Sequence, residues 1–582
     1  MKNFIKNVLA NIVAIGIVWV LVFFFAIFLL IVSAMSSSST VKVKKNSVLT
    51  LDLNTTIIDS PGEDVEDIFA INSKNQNVIL LDVINAIERA KNDDNIKGIS
   101  IEVDHVNAGI TQIDNLRNAL EDFKKSGKFV TTYGNVVSQS SYYLGSVGQE
   151  YYLHPAGGID LKGLSSEVAF YKDFADKYGV GIEVIRHGKY KSAVEPYLRN
   201  DLSDENKEQI SVMLNDLWRN ISTSISKSRK ISVSDLNTVA DSLIGMIPES
   251  ALQNKLVDKL VQKSEYDKVL KSKIKLGADD KLNKISLGNY ISTMEESSSG
   301  DKIGVLYASG AIYSGDGYGD IYSDNMIKDI RKLAKDKKIK AVVLRVNSPG
   351  GSANASDEIL FELEELKKQK PLVVSFGDYA ASGGYYIAMA GDRIFSEANT
   401  LTGSIGVFGV VPYFKELAHK NGITSEAVTT NANSNSYSSI NGLTPGYVSM
   451  LTKSVEQTYN RFVHFVTKNR KKSFAQIDEV GGGRVWTGAR AKSIGLVDEV
   501  GSLNDAIKFV GKKAGVKDYE VVSYPKKVTL MEQLFNDISE EQISTKLIKA
   551  KLGEENYKLF ETLNKTEAKE NIRLDSYYKV KL

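Results

Sequence analysis

The chain has no cysteine, which excludes disulfides, thiolate metal sites and a cysteine nucleophile. A thiol-free chain suits an oxidising compartment. Histidine is nearly as scarce. His105, His154, His187, His419 and His464 are the only five in 582 residues, so a His-rich metal site is not expected, and neither is any other cofactor. An excess of one charge is missing too. Lys and Arg number 73 against 71 Asp and Glu, a net of +2, so no global field points to nucleic acid or to an acidic substrate. Long apolar runs are absent with one exception. Residues 12–35 carry no charge, enough to span the hydrocarbon layer as a helix. The run is too long for the apolar region of an ordinary cleaved signal peptide, so an uncleaved anchor is expected. Lys2 and Lys6 precede it and Lys42, Lys44 and Lys45 follow it. That near balance leaves orientation open on charge alone.

The rest has the composition of globular protein, 42% apolar and 25% charged. Its length predicts two or more domains. After the polar SSSST linker, strand-like and helix-like stretches alternate. LTLDL, KGISIEVD and KFVTTYGN read as buried strands; VILLDVINAIERAKND and ITQIDNLRNALEDFKKS read as amphipathic helices between them. That alternation predicts an α/β fold with parallel pairing.

The pattern then repeats. IKGISIEVD at 96–104 matches IKAVVLRVN at 339–347, an offset of 339 − 96 = 243 residues. YGNVVSQSSYYL at 133–144 matches FGDYAASGGYYI at 376–387 with the same offset. A duplication follows, with these expected boundaries: anchor and linker 1–46, first domain 47–285, linker 286–300, second domain 301–525 and a charged tail 526–582, helical in places and without an assigned role. The Asn/Ser-rich stretch 429–446 reads as a surface loop or the rim of a site mouth.

Three segments of the second half look chemical. VNSPGGSA (346–353) puts bare backbone at a strand end. GDYAASGGYYIAMA (377–390) predicts a strand ending near Gly377 and a helix starting at Ser382. TLTGSIGVFG (400–409) is a Gly/Ser turn able to face both. An exposed serine at a helix start beside glycine turns is what acyl transfer needs, although a serine there is ordinarily just an N-cap. A base is also required. No histidine lies in a glycine-rich turn, and only His187 sits near unusual sequence, EVIRHGKYKSAVEPYLR at 183–199. The repeat is informative here. Opposite Ser382 the first half has Gln139, with Ser140 and Ser141 replacing Gly383 and Gly384 and VNA (106–108) replacing the Pro-Gly-Gly turn. Opposite Lys191 the second half has Ser434, and no lysine lies between Lys420 and Lys453. Each half lacks what the other keeps, and a site split between Ser382 and Lys191 accounts for both defects. A lysine base must be neutral, which its ordinary pKa of about 10.4 forbids unless it is desolvated.

YKSAVEPYLR, VNSPGGSA, AASGGYYIAMA, LTGSIGVFG and VWTGARAKSIGLVDEVG resemble the signature segments of the signal peptide peptidase A family in its long, two-domain form. The resemblance implies an N-terminal transmembrane helix followed by tandem domains of repeated ββα units, like Clp protease and the crotonases. It implies a serine endopeptidase with Ser382 as nucleophile, Lys191 as general base, Ser404 holding the lysine, and Gly383 and Gly351 as oxyanion donors. It further implies cleaved signal peptides and other apolar peptides as substrates, the cytoplasmic membrane as location with the catalytic part outside the cytoplasm, and a bowl-shaped homotetramer. Since both halves lie in one chain, the two groups are expected to meet within it. Two other readings stand beside this one: a crotonase-type acyl-CoA enzyme, which would not need Ser382, and a non-catalytic scaffold binding hydrophobic peptides.

Overall fold

The computed structural model describes residues 41–61, 77–277, 279–294, 300–526 and 573–574, with isolated positions between 15 and 23. Apart from those positions, the expected span at 12–35 lies outside the described residues. Among the described residues no helix is long and apolar enough to cross a membrane.

Two similar sheets carry the fold. The first runs Asn283–Ser286, Ser47–Leu51, Ile96–Glu102, Phe129–Val137, Glu150–Ile159, Lys259–Leu260, all parallel. The second runs Glu520–Tyr524, Lys302–Ser309, Ile339–Ser348, Leu372–Ala381, Leu401–Gly403 and an antiparallel Val485–Thr487, with Ile394–Ser396 pairing Leu372–Ala381 and Glu499–Val500. The central strands are largely buried because helices cover both faces of a parallel sheet; Ser47–Leu51 is buried at every position. The connecting helices repeat with the sequence offset. Leu80–Asn92 and Ile110–Lys124 start 243 residues before Ser323–Lys335 and Ala353–Lys367 (80 + 243 = 323; 110 + 243 = 353).

Two expectations change. The linker expected at 286–300 begins later. Helix Leu287–Ile291 buries Leu287 and Tyr290 in the first-half core, so residues to 294 belong there by packing. The strand expected to end near Gly377 continues to Ala381. Its register shifts between Val346 and Ser348 of the neighbouring strand, and beyond that irregularity it leaves Ile394–Ser396 and pairs with Leu401–Gly403. The bent strand thereby delivers its end, and Ser382, to the turn after Gly403.

The two halves are bound through their cores. Ile58, Ile79 and Leu81 share one apolar cluster with Ile303, Val305 and Val343. Met213 and Leu217 share another with Leu401 and Val485. Arg345 and Asp59, both buried, form an ion pair across the joint at 3.2 Å. Helix Asp204–Arg229 clamps the second half: Gln209 accepts from Val485 N at 2.7 Å, and Asp216 pairs with Arg490. A third sheet crosses the joint. In it Gly181–His187 of the first half pairs antiparallel with Val407–Tyr413 of the second, from Gly181 opposite Tyr413 to His187 opposite Val407.

Candidate active site

That cross-joint strand sets the position of Lys191. It ends at His187 beside Val407, and Gly188, with φ 95°, turns the chain back against the glycines at 482–483. A β-carbon at Gly188 would meet the Gly482 carbonyl oxygen at 2.4 Å, and one at Gly483 would meet Lys191 N at 2.6 Å. Both glycines are therefore needed for the close approach. Tyr190 N donates to Gly482 O at 3.0 Å. Beyond Lys191 the chain forms a short 3₁₀ turn, Ser192–Val194, then helix Glu195–Leu198. The buried Glu195 fixes this turn to the following helix by accepting from Ser203 Oγ at 2.5 Å and Asn206 Nδ2 at 2.9 Å.

Ser382 approaches from the other side. It precedes helix Gly383–Ile387 with φ 56° and ψ −116°. Such a conformation costs a non-glycine residue on the order of 1–3 kcal/mol. Ser382 N is tied to Gly403 O at 2.9 Å and Thr402 Oγ1 to Ala380 O at 2.7 Å, so the Leu401–Gly403 strand holds the strained residue. Ser404, also at positive φ (50°), follows at once and donates its N–H to Arg484 O at 2.7 Å.

The structure brings the three side chains together. Lys191 Nζ lies 2.8 Å from Ser382 Oγ, 3.0 Å from Ser404 Oγ and 3.3 Å from Ser404 O. All three residues are buried, at 1%, 0% and 2% exposure. The Phe408 ring centre is 5.8 Å from Nζ, and a β-carbon at Gly406 would sit 3.2 Å from Lys191 Cδ. Gly351 and Gly383 also converge: a β-carbon on Gly383 would lie 3.2 Å from Gly351 N. The backbones of Gly351 and Gly383 thus lie side by side next to the serine. His187 takes no part in this triad; it stacks on Tyr459 at 3.8 Å. Sequence reasoning missed the clearance provided by Gly406 and Gly483. The run of three glycines at 481–483 was the available signal.

The corresponding place in the first half is plugged. Gln139, at the position of Ser382, is buried and satisfies its amide on the turn that corresponds to the Ser404 turn. Its Oε1 accepts from Lys162 N and Gly163 N at 2.9 Å each, and its Nε2 donates to Gly163 O at 2.9 Å. Ser141 Oγ accepts from Val106 N at 2.8 Å, filling the place of the glycines. Ser138 caps the helix with an ordinary φ of −67°. Ser434, opposite Lys191 in the repeat, lies in an exposed loop.

Behind the strand that ends at Ser382 the joint is acidic. Asp378 accepts from Thr111 N at 2.9 Å and Thr111 Oγ1 at 3.0 Å; Asn115 Nδ2 donates to Glu397 at 2.8 Å, and Asn399 Nδ2 to Asp114 at 2.8 Å. Burial pushes Asp114 and Asp378 up to about 6 and Glu397 up to about 8. Among the described residues no cluster of His, Cys, Asp or Glu is arranged to hold a metal ion.

Known proteins share this organisation. The Peptidase family S49 model matches residues 122–277 and 364–517, once in each half, and the Clp protease model matches 294–401. Protease 4 of Salmonella typhi is 34% identical over 555 residues, which cover 92% of this chain and 88% of the relative. The chloroplastic serine protease SPPA of Arabidopsis thaliana is 31% identical over 505 residues, 84% of this chain and 72% of the relative. A putative signal peptide peptidase SppA of Enterococcus faecium is 34% identical over 258 residues, 43% of this chain and 75% of the relative. With its duplicated Clp-like α/β fold, the family model matching in both halves and Protease 4 aligned over most of its length, the chain belongs to peptidase family S49 and is a serine peptidase.

Proposed function

We propose that the protein is a membrane-anchored endopeptidase that uses a Ser382–Lys191 dyad to degrade cleaved signal peptides and other apolar peptides. The observation that carries the dyad is the 2.8 Å contact between Lys191 Nζ and Ser382 Oγ, with both groups buried. Burial removes the water that would stabilise an ammonium and so favours the neutral amine a base requires. Lys191 takes the Ser382 proton as Oγ attacks the peptide carbonyl. The oxyanion is met by the N–H groups of Gly383 and Gly351. Lys191 then returns the proton to the departing amine, leaving an acyl-serine. Water, deprotonated by Lys191, breaks that ester and restores the dyad. Ser404 holds Nζ in line through its hydroxyl and carbonyl, at 3.0 and 3.3 Å.

The apolar segment at 12–35 supports the anchor, with the catalytic part on the extracytoplasmic side, and the Enterococcus relative's name supports signal peptides as substrates. A homotetramer enclosing its sites fits a peptidase that must spare folded proteins. The test is turnover of an apolar fluorogenic peptide by full-length wild type, Ser382→Ala and Lys191→Ala proteins. Loss of activity in both folded variants supports the dyad; retained activity in Lys191→Ala removes lysine from the role of base. Membrane fractionation after cleaved-tag detection at the N-terminus tests the anchor.

A further inference from the structure

One half-buried cation at the joint takes no part in the proton transfers. Arg484 follows the three glycines that clear room for Lys191 and leads into the antiparallel strand Val485–Thr487. Its guanidinium lies between two rings, 4.7 Å from the centre of Tyr190 and 4.4 Å from that of Trp486. Tyr190 and Lys191 are consecutive, so one face of this stack is the segment that carries the base. Arg484 Nη1 donates to Tyr190 Oη at 3.1 Å and Nη2 to Glu208 at 2.8 Å, while Tyr190 Oη donates to Glu208 at 3.0 Å. Two residues of the first half and one of the second thereby close a ring of hydrogen bonds.

The backbone of the same arginine serves the other side of the site. Arg484 O accepts from Ser404 N at 2.7 Å, and Ser404 holds Lys191 Nζ through its hydroxyl and carbonyl. Arg484 therefore touches both the segment that carries the lysine and the turn that orients it. An exposed ion pair alone contributes little, but a planar guanidinium held between two rings is directional, and a lysine does not reproduce it. The first half has no equivalent. Helices Pro248–Gln253 and Gly488–Ser493 set the local repeat offset at 488 − 248 = 240, which puts Ile244 opposite Arg484.

We propose that Arg484 is a positioning residue of the dyad: stacked on Tyr190 and bonded to Ser404, it holds the lysine segment and the Ser404 turn as one unit across the joint. The inference rests on the Ser382–Lys191 reading. Arg484 acts through these neighbours and exchanges no proton.

Full-length Arg484→Lys and Arg484→Met are compared with wild type on the apolar fluorogenic peptide. Lysine keeps the charge and loses the plane; methionine keeps only an unbranched stem. Both are expected to lower kcat roughly 10–100-fold, the cost of displacing a reacting group by up to about 1 Å, with KM within about twofold because no substrate contact is removed. A lysine no longer held in its dry site is easier to protonate, so the acid limb of the kcat profile should move to higher pH in both. Arg484→Lys separates position from charge, since its cation remains. Tyr190→Leu removes the same stack from the lysine side and should reproduce both effects; combined with Arg484→Lys it should cost less than the sum of the single changes. A purely structural role predicts a lower melting temperature alone. Unchanged kcat, or a loss with the acid limb in place, would overturn the proposal. Amide hydrogen exchange gives a second reading that does not depend on turnover. In Arg484→Met, segments 189–192 and 404–406 should lose protection together, and unchanged protection in either would overturn the proposal. Absence of turnover in the wild type would count against the dyad reading alone, while exchange still decides whether Arg484 joins the two segments.

Discussion

Gly483→Ala isolates the position of Lys191 from its chemistry. Gly483 has φ 85°, and a β-carbon there would lie 2.6–2.7 Å from N, Cα and Cβ of Lys191. Ordinary contact begins at 3.4 Å, so the two segments must separate by about 0.7–0.8 Å, against an Nζ–Oγ distance of 2.8 Å. A misplacement near 1 Å costs about 100-fold in rate, and the left-handed alanine adds roughly 1–2 kcal/mol of strain. Gly422→Ala separates the two effects. Gly422 has φ 73° with nothing within 4 Å of its β-position, so it carries the strain without the collision. The assay is kcat/KM on an apolar fluorogenic peptide, with thermal unfolding alongside. Gly483→Ala should lose about 100-fold while remaining folded, and Gly422→Ala should lose stability only. Activity of Gly483→Ala within threefold of wild type would refute the claim that this contact sets the lysine.

Other consequences are equally direct. Gln139→Ala removes three hydrogen bonds from the plugged first-half site and leaves backbone N–H groups of 162 and 163 without their acceptor; it should cost on the order of 1–3 kcal/mol by denaturant titration without changing kcat. Asp59→Asn breaks a buried ion pair between the halves and should destabilise by about 3–5 kcal/mol, read as a lower unfolding midpoint. Burial raises Glu397 from 4.5 to about 8, so the folded state holds a proton that the unfolded state has released. Stability from this group is fully present below pH 4.5 and lost as pH rises through about 8. Melting temperature should fall over that window, and Glu397→Gln should flatten the fall above pH 6, where Asp114 and Asp378 have already titrated. An unchanged pH profile in Glu397→Gln would show that the acid is not held neutral.

The parts legible in the sequence were those written in local pattern. The 243-residue offset emerges again in the starts of paired helices, 80 and 323, 110 and 353. Ser382 was legible as a serine between a strand and a glycine-rich helix start, and Lys191 through the complementary gaps in the two halves. What stayed hidden depends on contacts between distant segments. No periodicity shows that Gly181–His187 joins Val407–Tyr413, the pairing that carries Lys191 to the other half. Gly377 looked like a strand end because glycine weakens strands, yet the strand bends there and finds a new partner. The acidic joint of Asp114, Asp378 and Glu397 was invisible because carboxylates ordinarily read as surface.

The most direct test of a dyad formed within one chain is complementation. Ser382→Ala and Lys191→Ala proteins, each first assayed alone beside wild type, are co-expressed with different tags, and the mixed assembly is purified and assayed on an apolar peptide. A dyad built from the two halves of one chain predicts an active wild type, two inactive variants and an inactive mixture, because no chain holds both groups. Activity in the mixture would place the partners on different subunits, and activity in Lys191→Ala alone would contradict the dyad itself.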